Sequence, residues 1–125
     1  MREIKFRAWN APLKKMEYNS LNAIGFDGRV YYGNADITGF FENIIQYTGL
    51  KDKNGREIWE GDIRKDGWGR KFKVVYDNDL AAFYGEYING PSESLADCGP
   101  DSEYLGTVFE NPDLLEAASA DKEEL

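Results

Sequence analysis

Apolar residues recur at every second position over several short stretches of the chain. Ile4, Phe6 and Ala8 alternate with Lys5, Arg7 and Trp9, and Phe72, Val74 and Tyr76 alternate with Lys73, Val75 and Asp77. A period of two sends successive side chains to opposite faces of a strand. Both stretches are therefore predicted to be half-buried strands, with Phe72, Val74 and Tyr76 pointing into one core. Asn10-Ala11-Pro12 turns the chain after the first strand, since Pro12 biases Ala11 away from the helical region. Lys15 to Tyr18 is predicted to return with Met16 and Tyr18 inward. Asp27-Gly28 separates two more extended stretches, 23–26 and 29–32, in a hairpin pattern.

The centre of the chain is Gln46 to Lys65. Asn54-Gly55 is a strong signal for a type I′ turn, which needs positive φ at both central residues. Tyr47 and Leu50 precede it, Ile58 and Trp59 follow it, and Glu60-Gly61-Asp62 marks a second turn before a strand beginning at Ile63. Upstream, Phe41, Ile44, Ile45 and Thr48 fit helical spacing, but the β-branched content assigns 44–48 to a strand.

In the second half, Leu80 to Ile88 is predicted to neighbour the 72–76 strand, interrupted at Gly85. Gly90 to Glu103 is rich in Pro, Ser, Gly and Asp and reads as a long exposed loop. Tyr104 to Phe109 is the last strand. Asn111 suits a helix N-cap, Pro112 the first helical position and Asp113 the positive end of the helix dipole. Residues 119–125 lack apolar anchors and read as an acidic, frayed tail. No internal repeat is evident. Together these elements predict a mainly β fold of barrel-like, SH3-like strands with a short C-terminal helix. They are expected in a single domain over 1–118, divisible into a β subdomain at 1–45 and a barrel at 46–118.

Composition narrows the function. The chain of 125 residues carries a net charge of −8, divided as +1 over residues 1–66 and −9 over 67–125. An acidic second half disfavours broad binding to nucleic acid, which needs clustered cations. A single cysteine, Cys98, allows no internal disulfide and fits a reducing cytoplasm. Neither a signal-peptide pattern nor an apolar run of the roughly 20 residues a membrane helix needs is present.

Three blocks carry a family resemblance. Met1-Arg2-Glu3-Ile4-Lys5-Phe6-Arg7-Ala8-Trp9, the Tyr47–Gly55 run with Glu60-Gly61-Asp62-Ile63, and Gly106-Thr107-Val108-Phe109-Glu110-Asn111-Pro112-Asp113-Leu114-Leu115 resemble, in order, the opening, central motif and close of YopX-like proteins. Asn10 stands where the family pattern has Asp, and Trp59 where it has Tyr. The resemblance implies a mostly β, barrel-like protein encoded by phage or prophage DNA. It carries no catalytic residues to transfer.

The candidate chemistry is sparse. Histidine is absent, which removes the commonest general base and every Ser-His or Cys-His nucleophile pair. No enzymatic activity, cofactor or metal is expected, and Cys98 reads as an ordinary loop thiol. Asp52, Asn54 and Gly55 mimic part of an EF-hand loop, but Leu50 and Gly61 occupy the positions of its terminal ligands. Glu57, Glu60 and Asp62 crowd one turn, where Asp62 is expected to accept from backbone N–H groups. The candidate binding residues are Trp68, Arg70, Lys71 and Lys73, in which cationic and aromatic side chains interleave as on single-strand platforms. The plainer alternative packs Trp68 on the barrel rim. The sequence thus points to a non-enzymatic binding or assembly module whose partner is protein, most simply a second copy. Single-stranded nucleic acid, and an acidic decoy imitating DNA, are the alternatives. Because the terminal EF-hand ligands are missing, titration calorimetry with Ca²⁺ or Mg²⁺ is expected to show no micromolar site at Asp52–Asp62.

Overall fold

The structure, a computed structural model, describes residues 3–18, 22–25, 27–37 and 43–115. Residues 40–42 and the 119–125 tail, about which the sequence makes predictions, lie outside the described residues. The chain forms two compact units, Lys5–Gln46 and Met1–Ile4 with Tyr47–Leu125. Both are built of antiparallel strands, as the period-two pattern predicts.

In the first unit, β1 (Phe6–Asn10) pairs with β2 (Lys15–Glu17) and with the first half of β6 (Asn43–Lys51). A separate three-stranded sheet holds β3 (Asn22–Ile24), β4 (Val30–Tyr32) and β5 (Ala35–Asp36). The face that the apolar alternation of β1 predicts is buried only in part. Ala8 is buried as predicted, but Phe6 is 40% exposed and Ile4 is exposed, whereas Arg7, on the other face, is 4% exposed. Pairing explains the burial of Arg7. Arg7 lies opposite the buried Ile45, and Phe6 opposite Gln46, so Arg7 takes the face that Ile45 closes. The Arg7 stem is apolar, and its Nη1 donates to the Tyr18 hydroxyl at 3.1 Å. Tyr18, expected inward, is accordingly exposed.

In the second unit, the latter half of β6 pairs with β7 (Glu57–Trp59), and the Tyr47 and Trp59 rings meet across them with centroids 5.4 Å apart. A five-stranded antiparallel sheet follows in the order β11 (Glu93–Ser94), β10 (Ala82–Tyr87), β9 (Lys71–Asp77), β8 (Asp62–Lys65), β12 (Glu103–Thr107). It curls as a half-barrel over Ile58, Phe72, Val74, Tyr87, Leu95 and Cys98. Phe72 and Val74 are fully buried, but Tyr76 is 40% exposed. The cross-strand pairs run Phe72 with Tyr87, Val74 with Gly85 and Tyr76 with Phe83, and the core ends before the last. There the two rings meet edge-on at 5.0 Å on the margin.

Three further expectations are corrected. Gly85 does not interrupt β10. It lies within the strand because a Cβ there would come within 2.7 Å of the Cys98 sulfur and 2.8 Å of Phe72. Residues 90–103 are not simply an exposed loop, since they hold β11 and the short helix α1 (Leu95–Cys98), which buries Leu95 and Cys98 in the core. Asn111 does not cap with its side chain. That oxygen reaches back to the Thr107 amide at 3.4 Å, while the Asn111 carbonyl accepts from Leu114 as the helical turn at 113–115 begins.

The turn at Asn54-Gly55 differs from a type I′ turn. Among the described non-glycine residues, positive φ occurs at Lys14 and Ala81 and not at Asn54, while Gly55 has φ +84°. The Gly55 amide donates to the Asp52 carbonyl at 2.9 Å. Glycine thus follows a type I turn, the three-residue hairpin loop with a bulge. The same loop occurs at 25–29, 52–56 and 66–70. In each, the first residue's amide donates to the fifth residue's carbonyl at 2.9 Å, the fourth residue is Gly with φ near +83°, and the fifth is Arg. A recurrence is therefore present at the level of the loop. Gly55→Val should cost about 1–2 kcal/mol, because a β-branched residue resists positive φ. Gly85→Ala should cost about 1–3 kcal/mol by overpacking. Denaturant midpoints measured beside the unsubstituted chain check both, and coincident midpoints would contradict these assignments.

Candidate functional site

The loop from Asp66 to Arg70 is organised by one carboxylate. Asp66 Oδ1 accepts from the Trp68 and Arg70 amides, each at 2.9 Å. Its Oδ2 accepts from Arg70 Nε at 2.9 Å and from the Tyr87 hydroxyl at 2.8 Å. The Arg70 guanidinium lies over the Tyr87 ring, 4.7 Å from its centroid, and reaches Glu93 at 3.4 Å. A buried Asp thus fixes the loop from inside, and Trp68 at its tip is left 85% exposed. It does not pack on the rim.

The four candidate residues are therefore close in the chain but unequal in what they offer. Arg70 is engaged by Asp66 and Glu93, and Lys73 by Glu86 at 3.6 Å. Lys71 is half-buried on β9 and lies opposite Lys65 across β8. Trp68 is the exposed member.

A second polar cluster in this unit lies outside the binding residues singled out from the sequence. Arg64, fully buried on β8, donates from Nη2 to Asp52 Oδ2 at 2.5 Å and from Nε to Ser102 Oγ at 2.6 Å. Ser102 in turn donates to the Gly99 carbonyl. Asp52 Oδ1 accepts from the Asn54 and Arg56 amides, so one carboxylate both shapes its loop and neutralises the arginine. Asp62, as expected, accepts from a backbone amide, that of Trp59, at 2.9 Å, and its Oδ2 lies 3.9 Å from Arg64 Nη1. The available signal was the spacing of Asp62 and Arg64, two apart on a strand and hence on one face. Among the described residues, no group of three or more His, Cys, Asp or Glu is placed to hold a metal ion.

The ionisations follow from these contacts. Burial tends to raise the Asp52 carboxyl, but the Arg56 amide, the Arg64 guanidinium and the Asn54 amide outweigh it and hold it below the ordinary range. Asp66 is likewise lowered: burial opposes the shift, and the Arg70 amide, Tyr87 hydroxyl, Trp68 amide and Arg70 guanidinium prevail. Burial and then Asp66 push the Tyr87 hydroxyl up. Burial and then Glu93 push the Cys98 thiol up to about 11, in keeping with its packing in the core.

These features define a small, mainly β, hairpin-rich protein with several charged groups buried against one another and exposed apolar side chains on its loops. Its family is shown by the match of residues 5–116 to the family model described as YopX protein, and the chain belongs to the YopX family. A solved structure described as protein EF1440 from Enterococcus faecalis is similar to it, with 28% identity and a TM-score of 0.58. The match covers 92% of this chain and 99% of that one. A comparison with curated proteins returns no match. No helix among the described residues is long and apolar enough to cross a membrane.

Acid stability tests the two carboxylates. Both fold with lowered values, so the unfolded chain binds more protons in acid. Their contribution is complete above the unfolded value of about 4 and is lost as pH falls through the folded values below it. Asp66→Asn should therefore lose about 2–3 kcal/mol at neutral pH and show a shallower loss of stability below about pH 4. Chemical denaturation across pH checks this, and an unchanged acid limb would refute it.

Proposed function

We propose that this chain is a phage- or prophage-encoded, non-enzymatic binding or assembly module acting in the cytoplasm of its host. One observation supports this reading above the others. In the second unit the buried ionisable groups Asp52, Asp62, Asp66 and Arg64 are engaged by internal partners, while large apolar side chains stand outside. The β9–β10 hairpin carries the apolar surface, with Leu80 73% exposed beside Tyr76 and its ring partner Phe83.

Exposed aromatic and aliphatic side chains on a fixed hairpin are what protein interfaces favour, and the simplest partner is a second copy. Light scattering after gel filtration tests this. We expect concentration-dependent self-association that Leu80→Glu with Tyr76→Ser abolishes, since both side chains are exposed and their loss leaves the core intact. A strict monomer at high concentration would remove the assembly reading. The mobile-DNA origin is checked by whether phage genes flank this one, and the partner by mass spectrometry of what co-purifies from the host.

A further inference from the structure

The acidity of the whole chain conceals a local reversal. Residues 51–73 hold eight Lys and Arg against five Asp and Glu. Three of those acids, Asp52, Asp62 and Asp66, are buried, whereas Arg64 is the one buried cation among the eight. The surface that this segment presents is therefore more basic than its sequence.

The two Asp-x-x-Gly-Arg loops concentrate the effect. In each, the aspartate turns inward and accepts the loop amides, so the remaining side chains face out. The 52–56 loop exposes Lys53 and Arg56, and the Arg56 guanidinium is set over the Tyr104 ring, 3.7 Å from its centroid. The 66–70 loop exposes Trp68 and leads into Lys71. Arg64 joins the loops, since it holds Asp52 and lies on β8 two residues before Asp66. Tyr104, under Arg56, lies opposite Arg64 on β12. Among the described residues, Lys53, Arg56 and Lys71 have no carboxylate partner. Lys51 and Lys65 do not add to this set, as Glu57 and Glu103 face them across their strands.

From this arrangement we infer that the paired loops form a binding surface for single-stranded nucleic acid. Trp68 offers a flat face on which a base stacks, and Lys53 and Arg56 meet phosphates, whereas Lys71, opposite Lys65, lies on the other face of the sheet from Tyr104. Arg56 is already oriented by its ring, so less freedom is lost when it engages a phosphate. An acidic protein segment would use the cations but has no need of the indole. Two phosphate contacts make the affinity fall about sevenfold for a fourfold rise in salt, since each contributes roughly 0.7 to the log–log slope. The exposed acids of the remainder weaken binding, so it is expected near micromolar at low salt and weaker than about 10 μM at physiological salt. This surface is distinct from the Tyr76–Leu80 hairpin, so its failure leaves the assembly reading standing, and the reverse.

The test is fluorescence anisotropy of the full chain with a labelled oligothymidine longer than one site of roughly 4–16 nucleotides. Trp68→Ala should weaken binding about tenfold with the salt slope kept, because it removes stacking alone. Lys53→Gln with Arg56→Gln should weaken binding and reduce the slope by roughly 1.4. Lys14→Gln, an exposed cation on the β1–β2 loop, should change nothing. All four side chains are exposed, and unchanged thermal melting confirms that each variant folds. Absence of binding at low salt, affinity indifferent to Trp68 and Arg56, or preferential competition by polyglutamate over the oligonucleotide would each overturn the inference.

Discussion

The second unit depends on the buried contact between Arg64 and Asp52. A guanidinium removed from water is costly unless its donors are met, and removing one member of such a pair costs about 3–5 kcal/mol because the other charge stays buried. Here Asp52 and Ser102 meet three of the donor contacts from opposite directions, and Asp62 lies near the remaining nitrogen. The pair ties the 52–56 loop to β8, and Ser102 ties β8 to the segment after α1. That segment also receives the Lys53 amide at the Pro100 carbonyl. Elements far apart in sequence are thus held in register by one side chain.

The loop carboxylates extend this logic outward. Asp52 and Asp66 each satisfy two amides that a tight turn would otherwise leave to solvent, and each spends its second oxygen on an arginine. In one case that arginine is the buried Arg64, and in the other it is the surface Arg70 lying on Tyr87. A single local device therefore anchors the interior in one hairpin and stiffens the exterior in the next. Its charge is hidden in both, which is why counting acids along the chain misjudges the electrostatics of this segment.

Much of the fold was legible because it rests on local rules. Strand positions, the hairpin at 25–29, β6 and the burial of Phe72 and Val74 follow from period two and from turn residues. What was not legible depends on pairing. The burial of Arg7 on β1 is set by Ile45, thirty-eight positions on, and Tyr76 is exposed because the core beneath it ends. Leu95 and Cys98 were hidden in a polar stretch, since two apolar residues carry no periodicity of their own. At the candidate site, Trp68, Arg70, Lys71 and Lys73 were visible as an interleaved pattern. Their inequality was not, because ion pairs with Asp66, Glu86 and Glu93 arise only when strands are aligned. Lys53 and Arg56 were overlooked because their loop was read for its oxygens.

The recurring loop has one more consequence. Its first, fourth and fifth residues carry the geometry, through the paired amide and carbonyl, the left-handed glycine and the arginine. In the 25–29 copy the third residue, Asp27, takes part in the frame, since its Oδ1 accepts from the Arg29 amide at 3.0 Å. In the two copies that begin with Asp, the third residue contributes only its amide, with Asn54 in one and Trp68 in the other, so there that position is uncoupled from the frame holding it. Substitution there alters what the molecule presents to its surroundings while leaving the hairpin indifferent, so lineages carrying this fold can exchange the presented group without renegotiating the interior.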